Sequence, residues 1–73
     1  MKLQELSFAR QRKGLTQEQM AKVIGKSMDS YSKKERGEVK FSPNEIVAVT
    51  KELDLSYAQM NEIFFGGNLP FDK

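Results

Sequence analysis

The stretch SMDSYSKKERG, residues 27–37, has the length of a short helix but contains only two apolar residues, Met28 and Tyr31. Hydroxyl, carboxylate and ammonium groups fill most of the other positions, so one helical side offers hydrogen-bond donors and acceptors. A helix this polar is either weakly held by its own protein, or one of its sides contacts something else.

The same stretch contains Ser30-x-x-Lys33, a spacing in which certain acyl-transfer enzymes place a serine nucleophile near a lysine. The companion motifs of those enzymes are absent, and 73 residues are too few for such an active site. The sequence also lacks histidine and cysteine, which excludes disulfides and Cys/His metal sites. We therefore predict that the protein is not an enzyme and uses no metal or cofactor.

Charge is unevenly distributed along the chain, although the net charge is only +2. Residues 1–40 contain ten Lys/Arg against five acids, whereas residues 41–73 contain two Lys against five acids. This asymmetry is typical of a polyanion-binding side and an opposite side, but ordinary scatter in a small charged protein explains it equally well. The sequence contains no signal peptide and no apolar run near the ~20 residues that span a bilayer, so we predict a cytoplasmic protein.

Helix starts are marked by three capping boxes, in which a Ser or Thr and a Glu or Gln three residues later satisfy free backbone amides. The boxes are Thr16-x-x-Gln19, Ser42-x-x-Glu45 and Ser56-x-x-Gln59. With glycines after the helical stretches, they predict helices at about Leu3–Lys13, Gln17–Ile24, Pro43–Leu53 and Tyr57–Phe64, and Ser27 opens a further helix. The predicted fold is a compact all-α bundle of five helices, with one domain at residues 1–66 and a short tail at 67–73.

The second and third predicted helices have helix-turn-helix spacing, with the turn at Gly25-Lys26-Ser27. Tyr31 anchors the third helix in the core, while Met28, Asp29, Ser32 and Lys33 lie on its other face. Eight residues make a helix about 12 Å long, which is comparable with the roughly 12 Å width of the major groove of B-DNA.

The stretch ARQRKGLTQEQMAKVIGKSMDSYSKKERG resembles the Cro and phage-repressor type of helix-turn-helix domain, also called the xenobiotic-response-element family. The matching residues are Arg10, Gly14-Leu15-Thr16-Gln17, Met20-Ala21, Ile24-Gly25, Tyr31-Ser32 and Glu35-Arg36-Gly37. A looser likeness continues through SPNEIVAVTKELDLSYAQM, so that the resemblance covers about residues 3–65. It implies a lambda-repressor-like fold and sequence-specific binding of double-stranded DNA by a transcriptional repressor.

By this resemblance, the residues that read bases are Ser27, Met28, Asp29 and Lys33. Their chemistry agrees, since Lys33 can donate to guanine O6 and N7, Asp29 can accept from cytosine N4, and Met28 can contact a thymine methyl group. For Asp29, a favourable interaction with the dipole at a helix N-terminus is an equally good explanation.

Contacts to the phosphate backbone are expected from residues at the start of the second helix, in the turn, and in and after the third helix. These residues are Thr16, Gln17, Lys26 and Ser32 and, as the resemblance implies, Arg36 and Lys40. For any single lysine among them, a solvated surface charge is as good an interpretation. The resemblance also implies a structural ion pair between Arg10 and Glu35 that orients the third helix.

Lys34 departs from the family pattern, because an aliphatic residue usually packs inward at that position. We expect the methylene groups of Lys34 to cover the core while its ammonium group stays in water.

The C-terminal segment is rich in apolar residues, with Phe64, Phe65, Leu69 and Phe71 close together. Either this segment folds back onto the core or it forms a homodimer contact, and Phe8 fits either arrangement. A homodimer would place two recognition helices about 34 Å apart, one DNA turn, on a near-palindromic site.

A second function remains open at this point, because fold does not dictate function. The same helical fold would also serve as a protein-interaction module, such as an antitoxin or a small phage regulatory subunit. The basic first half and the polar third helix favour DNA, whereas the acidic second half and the aromatic tail favour a protein partner.

Overall fold

The computed structural model describes residues 2–67, and over this range it consists of five helices and their connections. The helices are α1 (Leu3–Arg12), α2 (Gln17–Ile24), α3 (Met28–Glu35), α4 (Pro43–Glu52) and α5 (Tyr57–Phe65). The all-α architecture predicted from the sequence is confirmed, with helix ends within one residue of the predicted positions. None of these helices is long and apolar enough to cross a membrane.

All three predicted capping boxes are present, at the starts of α2, α4 and α5. In the first, the amide of Gln19 donates to the Thr16 hydroxyl at 3.1 Å, and the amide of Thr16 donates to the Gln19 side chain at 2.8 Å. Reciprocal bonds of this kind satisfy backbone donors that the helix itself leaves free, and they fix where each helix begins.

The connection between α2 and α3 is a tight turn that depends on Gly25. This residue has φ +71°, in the left-handed region that glycine adopts without steric cost. The amide of Lys26 then donates to the carbonyl of Ala21 at 2.9 Å, which closes the end of α2. The chain therefore reverses within three residues and delivers Ser27 to the start of α3.

The core lies at the centre of the five helices and draws buried residues from each of them. Its buried apolar members are Leu6, Ala9, Met20, Ala21, Tyr31, Val49, Leu53, Ile63 and Phe64. Phe41, in the connection between α3 and α4, packs edge-on against Tyr31 and Phe64, with ring centroids 6.1 and 5.2 Å apart. Such aromatic contacts join the C-terminal helix to the helix-turn-helix unit.

Of the two arrangements left open for the C-terminal apolar segment, its first residue adopts the fold-back, because Phe64 is buried in the core. Phe65 is half-buried, whereas Leu69 and Phe71 lie outside the described residues. Phe8 does not join this cluster, since about half of it (49%) is exposed on α1.

Candidate nucleic-acid interface

Helix α3 is anchored to the protein by three residues of one side. Tyr31, Lys34 and Glu35 are each less than a tenth exposed. Tyr31 and, through its ion pair with Arg10, Glu35 were expected to hold α3, whereas the burial of the Lys34 ammonium was not expected. Both buried charges are paired within the fold, so all three residues fix the position of α3.

The other side of α3 is open. Ser27, Met28, Asp29 and Lys33 are all exposed, and Met28 leaves 53% of its surface in solvent, a large fraction for an apolar side chain. Ser27 is the N-cap of the helix, with its hydroxyl accepting from the amide of Ser30 at 3.1 Å. We refer to Ser27, Met28, Asp29 and Lys33 as the open face of α3.

Two groups of the open face are paired with each other. The ammonium of Lys33 lies 3.4 Å from the carboxylate of Asp29, one helical turn away. The two side chains are 47% and 80% exposed, so the pair contributes at most ~0.5 kcal/mol. A ligand can therefore separate the two groups at little cost.

On the inner side of α3, Glu35 accepts hydrogen bonds from three other residues. Arg10 donates to its two carboxylate oxygens at 2.9 and 3.2 Å, Tyr31 donates its hydroxyl at 2.8 Å, and Gln17 donates its side-chain amide at 3.0 Å. Arg10 also donates to the carbonyl of Leu15 at 2.8 Å. Through these bonds a single carboxylate links α1, α2 and α3.

The surroundings of Glu35 and Tyr31 shift their pKa values in opposite directions. Burial by itself raises the pKa of Glu35, but hydrogen bonds from Arg10, Gln17 and Tyr31 outweigh it and lower the pKa below the ordinary value. Burial raises the pKa of Tyr31, and the neighbouring Glu35 carboxylate raises it further. Glu35 is thus ionised and Tyr31 protonated at neutral pH, which is the arrangement that the hydrogen bond between them requires.

Stability is expected to fall in acid because of Glu35 and of Glu45, whose pKa is also lowered. Burial raises the pKa of Glu45, but bonds from the backbone of Ser42 and from Lys34 outweigh it. In the unfolded chain both carboxylates titrate near 4.5. The unfolded state therefore binds more protons below that pH, and the free energy of unfolding declines as pH falls through the lower folded-state values.

Urea denaturation at a series of pH values between about 7 and 3 measures this decline. A free energy of unfolding that stays constant down to pH 3 would contradict the assignment.

The residues expected to contact phosphates from α2 both form hydrogen bonds within the protein. The hydroxyl of Thr16 accepts from the amide of Gln19, and the side-chain nitrogen of Gln17 donates to Glu35. Each side chain keeps one donor, because the Gln17 amide nitrogen carries a second hydrogen and the Thr16 hydroxyl retains its own. A phosphate at this end of α2 would be bound by these donors, by backbone amides and by the helix dipole.

The remaining phosphate candidates lie around α3 and after it. Arg36 donates to the hydroxyl of Ser32 at 2.7 Å and to the carboxylate of Glu38 at 2.8 Å. Lys26 and Lys40 are exposed, and within residues 2–67 neither forms an ion pair. These cations lie before the first turn and beyond the last turn of α3, so they flank the open face along the chain.

A helix-turn-helix family model of the Cro and C1 type matches residues 6–59 of the sequence. The chain belongs to this family. The match includes α2, the turn, α3 and α4, and it agrees with the five-helix, lambda-repressor-like fold. No curated protein and no solved structure gives a significant match to the chain.

Membership of the helix-turn-helix family makes the protein a DNA-binding regulatory domain. The family is one of DNA-binding regulators and not of enzymes. Within residues 2–67, no group of three or more acidic side chains lies close enough together to hold a metal ion.

The expected position of the Lys34 ammonium group is wrong. Instead of reaching water, the ammonium is buried and donates at 3.0 Å to both the carboxylate of Glu45 and the backbone carbonyl of Lys40. It also lies 5.9 Å from the centre of the Phe41 ring, within the range of a cation–π contact. The Glu45 carboxylate is the partner that stabilises the buried ammonium. The sequence did not predict this pair, because Glu45 was identified there only as a capping residue of α4.

Proposed function

We propose that this helix-turn-helix domain binds specific sequences of double-stranded DNA by placing α3 in the major groove, and that it acts as a transcriptional repressor. The observation that carries the proposal is the two-sided character of α3. One side is fixed to the core through Tyr31, Lys34 and Glu35, and the other exposes the open face. A short helix that is firmly anchored and exposes mixed polar and apolar groups suits the reading of base edges.

The open face offers one partner each for guanine, cytosine and thymine in the major groove. Lys33 donates to guanine O6 and N7, Asp29 accepts from cytosine N4, and Met28 contacts a thymine methyl group. Asp29 is repelled by phosphates, so its presence here favours selectivity over affinity. The ion pair between Asp29 and Lys33 is exposed and weak. On binding, each group therefore leaves the other and forms a hydrogen bond to a base.

Affinity comes from the cations and amides around the open face. We assign phosphate contacts to Thr16, Gln17, Lys26, Ser32, Arg36 and Lys40. The ion pair between Arg36 and Glu38 is exposed, so breaking it costs little free energy. Arg36 then binds a phosphate in place of Glu38. Binding to random duplex should therefore weaken steeply as salt rises, and a gel shift with salt titration measures this dependence.

Replacing Lys33 with alanine should relax the preference for one base position and reduce affinity for the preferred site by about 1–3 kcal/mol. The physical reason is the loss of the donor to guanine. The measurement compares the affinities of variant and wild type for the preferred duplex and for duplexes with each base changed at that position. The control is Lys51→Ala, at an exposed lysine of α4, and this variant should leave base preference unchanged.

Equal weakening by Lys33→Ala on every sequence would reassign Lys33 to a phosphate contact. Undiminished binding to the preferred site, with base preference intact, would remove Lys33 from the interface altogether.

Two copies of the domain are proposed to bind together on a near-palindromic site. A single short helix reads few bases, and a homodimer doubles the length of the site while matching its symmetry. Phe8 and Val47, each about half exposed (49% and 52%), supply apolar area for such a contact. Sedimentation on the cognate duplex should show two chains per DNA, and a single chain per DNA at high protein concentration would exclude the dimer.

A protein partner is the second candidate function, favoured by the same exposed apolar residues and by the acidic charge of residues 41–73. The two functions are separable by the salt titration on random duplex. Absence of salt-dependent binding would favour the protein-interaction module.

A further inference from the structure

Lys34 connects the end of α3 to the segment that follows it. Its ammonium donates to the carbonyl of Lys40 at 3.0 Å, six residues further along the chain. The same ammonium donates to Glu45 of α4 at 3.0 Å. One buried cation thus joins α3, the connection between α3 and α4, and the first turn of α4.

Few contacts fix the position of the segment that connects α3 and α4. Residues 36–40 are all exposed, so burial does not fix them. Gly37 and Glu38 donate backbone amides to Lys34 and Lys33, which fixes the first part of the connection. Within residues 2–67, the bond from Lys34 is the one hydrogen bond to the backbone of Val39 or Lys40.

Stability alone does not require a lysine at position 34. Burying two charges costs desolvation that their attraction only roughly offsets, and an apolar replacement of similar volume is often as stable or more so. Glu45 would retain its capping role in either case, because it accepts from the amide of Ser42 at 2.8 Å. What an apolar side chain cannot supply is the donor to the Lys40 carbonyl.

We propose that Lys34 is a positioning residue for DNA binding, which holds the backbone of Lys40 so that the Lys40 ammonium meets a phosphate next to the end of α3. The inference rests on the proposed function, since it takes Lys40 to be a phosphate contact. Lys34 itself touches no DNA, because its ammonium is enclosed by Lys40, Glu45 and Phe41.

The test variant combines Lys34→Met with Glu45→Gln. The double substitution removes the donor to Lys40, leaves no buried carboxylate without a partner, and keeps the net charge of the chain unchanged. Glutamine preserves the capping box, in which Glu and Gln serve equally. The Glu45→Gln variant alone is the matched control, because it retains Lys34 and an oxygen acceptor for it.

Binding of a short random-sequence duplex is measured by fluorescence anisotropy between about 50 and 200 mM salt. Wild type and the Glu45→Gln control should give the same slope of log affinity against log salt. The double variant should lose one phosphate contact, seen as a slope shallower by about 0.9 and an affinity roughly fivefold to tenfold lower near 0.1 M salt.

A Lys40→Met background separates positioning from a general structural effect. If Lys34 acts through Lys40, the double variant should cause no further loss of affinity once Lys40 is methionine. An equal loss in both backgrounds would overturn the proposal, as would an unchanged slope in the double variant.

Folding of each variant is checked by circular dichroism, with Lys34→Leu/Glu45→Gln as a second apolar variant. If neither apolar variant folds, Lys34 is required by the fold and the positioning role is overturned. If wild type itself shows no salt-dependent binding, the proposed DNA interface fails first, and that outcome is recognisable before any variant is compared.

Discussion

Replacing Arg10 with methionine is expected to lower the free energy of unfolding by about 3–5 kcal/mol, because it leaves the buried Glu35 carboxylate without its cation. The side chains of Arg10 and Glu35 are only 11% and 7% exposed, so water does not replace the lost partner. A domain of this size has a total stability on the order of 4–11 kcal/mol, so the variant should be close to the edge of folding.

Urea denaturation followed by circular dichroism measures the effect. Arg12→Met is the matched control, since Arg12 lies two residues further along α1 on its exposed side and should change stability by less than about 0.5 kcal/mol. Equal stabilities for the two variants would show that the Arg10–Glu35 pair does not hold α3 against α1.

Replacing Lys34 with methionine, with Glu45 left in place, is expected to have an effect of similar size, about 3–5 kcal/mol of stability. The buried carboxylate keeps its bond from the Ser42 amide but loses the only cation within hydrogen-bond reach among the described residues. Adding Glu45→Gln to the same chain should restore most of the loss, because no unpaired charge is then buried.

The comparison of single and double variants is a test of coupling between the two side chains. Denaturation midpoints of wild type, both single variants and the double variant complete the cycle. Additive losses, with the double variant the least stable of the four, would mean that Lys34 and Glu45 contribute independently and that the ion pair is not the source of their stability.

The helices were predictable because their signals are local. Each capping box lies within four residues, and glycine at position 25 specifies the turn without reference to the rest of the chain. The anchoring of α3 by Tyr31 was predictable for a similar reason, since it was the one apolar residue that had to face inward.

The buried polar contacts were not predictable from spacing, because they join distant positions. Lys34 and Glu45 are eleven residues apart, and Gln17 reaches Glu35 across eighteen. Each of these residues also has an ordinary local interpretation: a surface lysine, a capping glutamate or a polar residue that grips a phosphate. Only the packing of α2 against α3 and of α4 against α2 decides which interpretation holds.

The backbone of Asp54 was not predictable for a different reason: this residue adopts φ +52° two residues after the end of α4. Glycine is the usual residue in that left-handed conformation. No glycine lies near position 54, so the sequence did not predict a left-handed residue there. Asp and Asn adopt the left-handed conformation more readily than other residues with a side chain, which explains why Asp54 can replace glycine there.

Selection of bound duplexes from a random pool tests the central claim, that the open face of α3 reads bases. The expected result is enrichment of a short, near-palindromic sequence, with a base position that becomes degenerate when the selection is repeated with Lys33→Ala. A pool that remains random after repeated rounds, although the domain is folded and retains duplex at low salt, would contradict it.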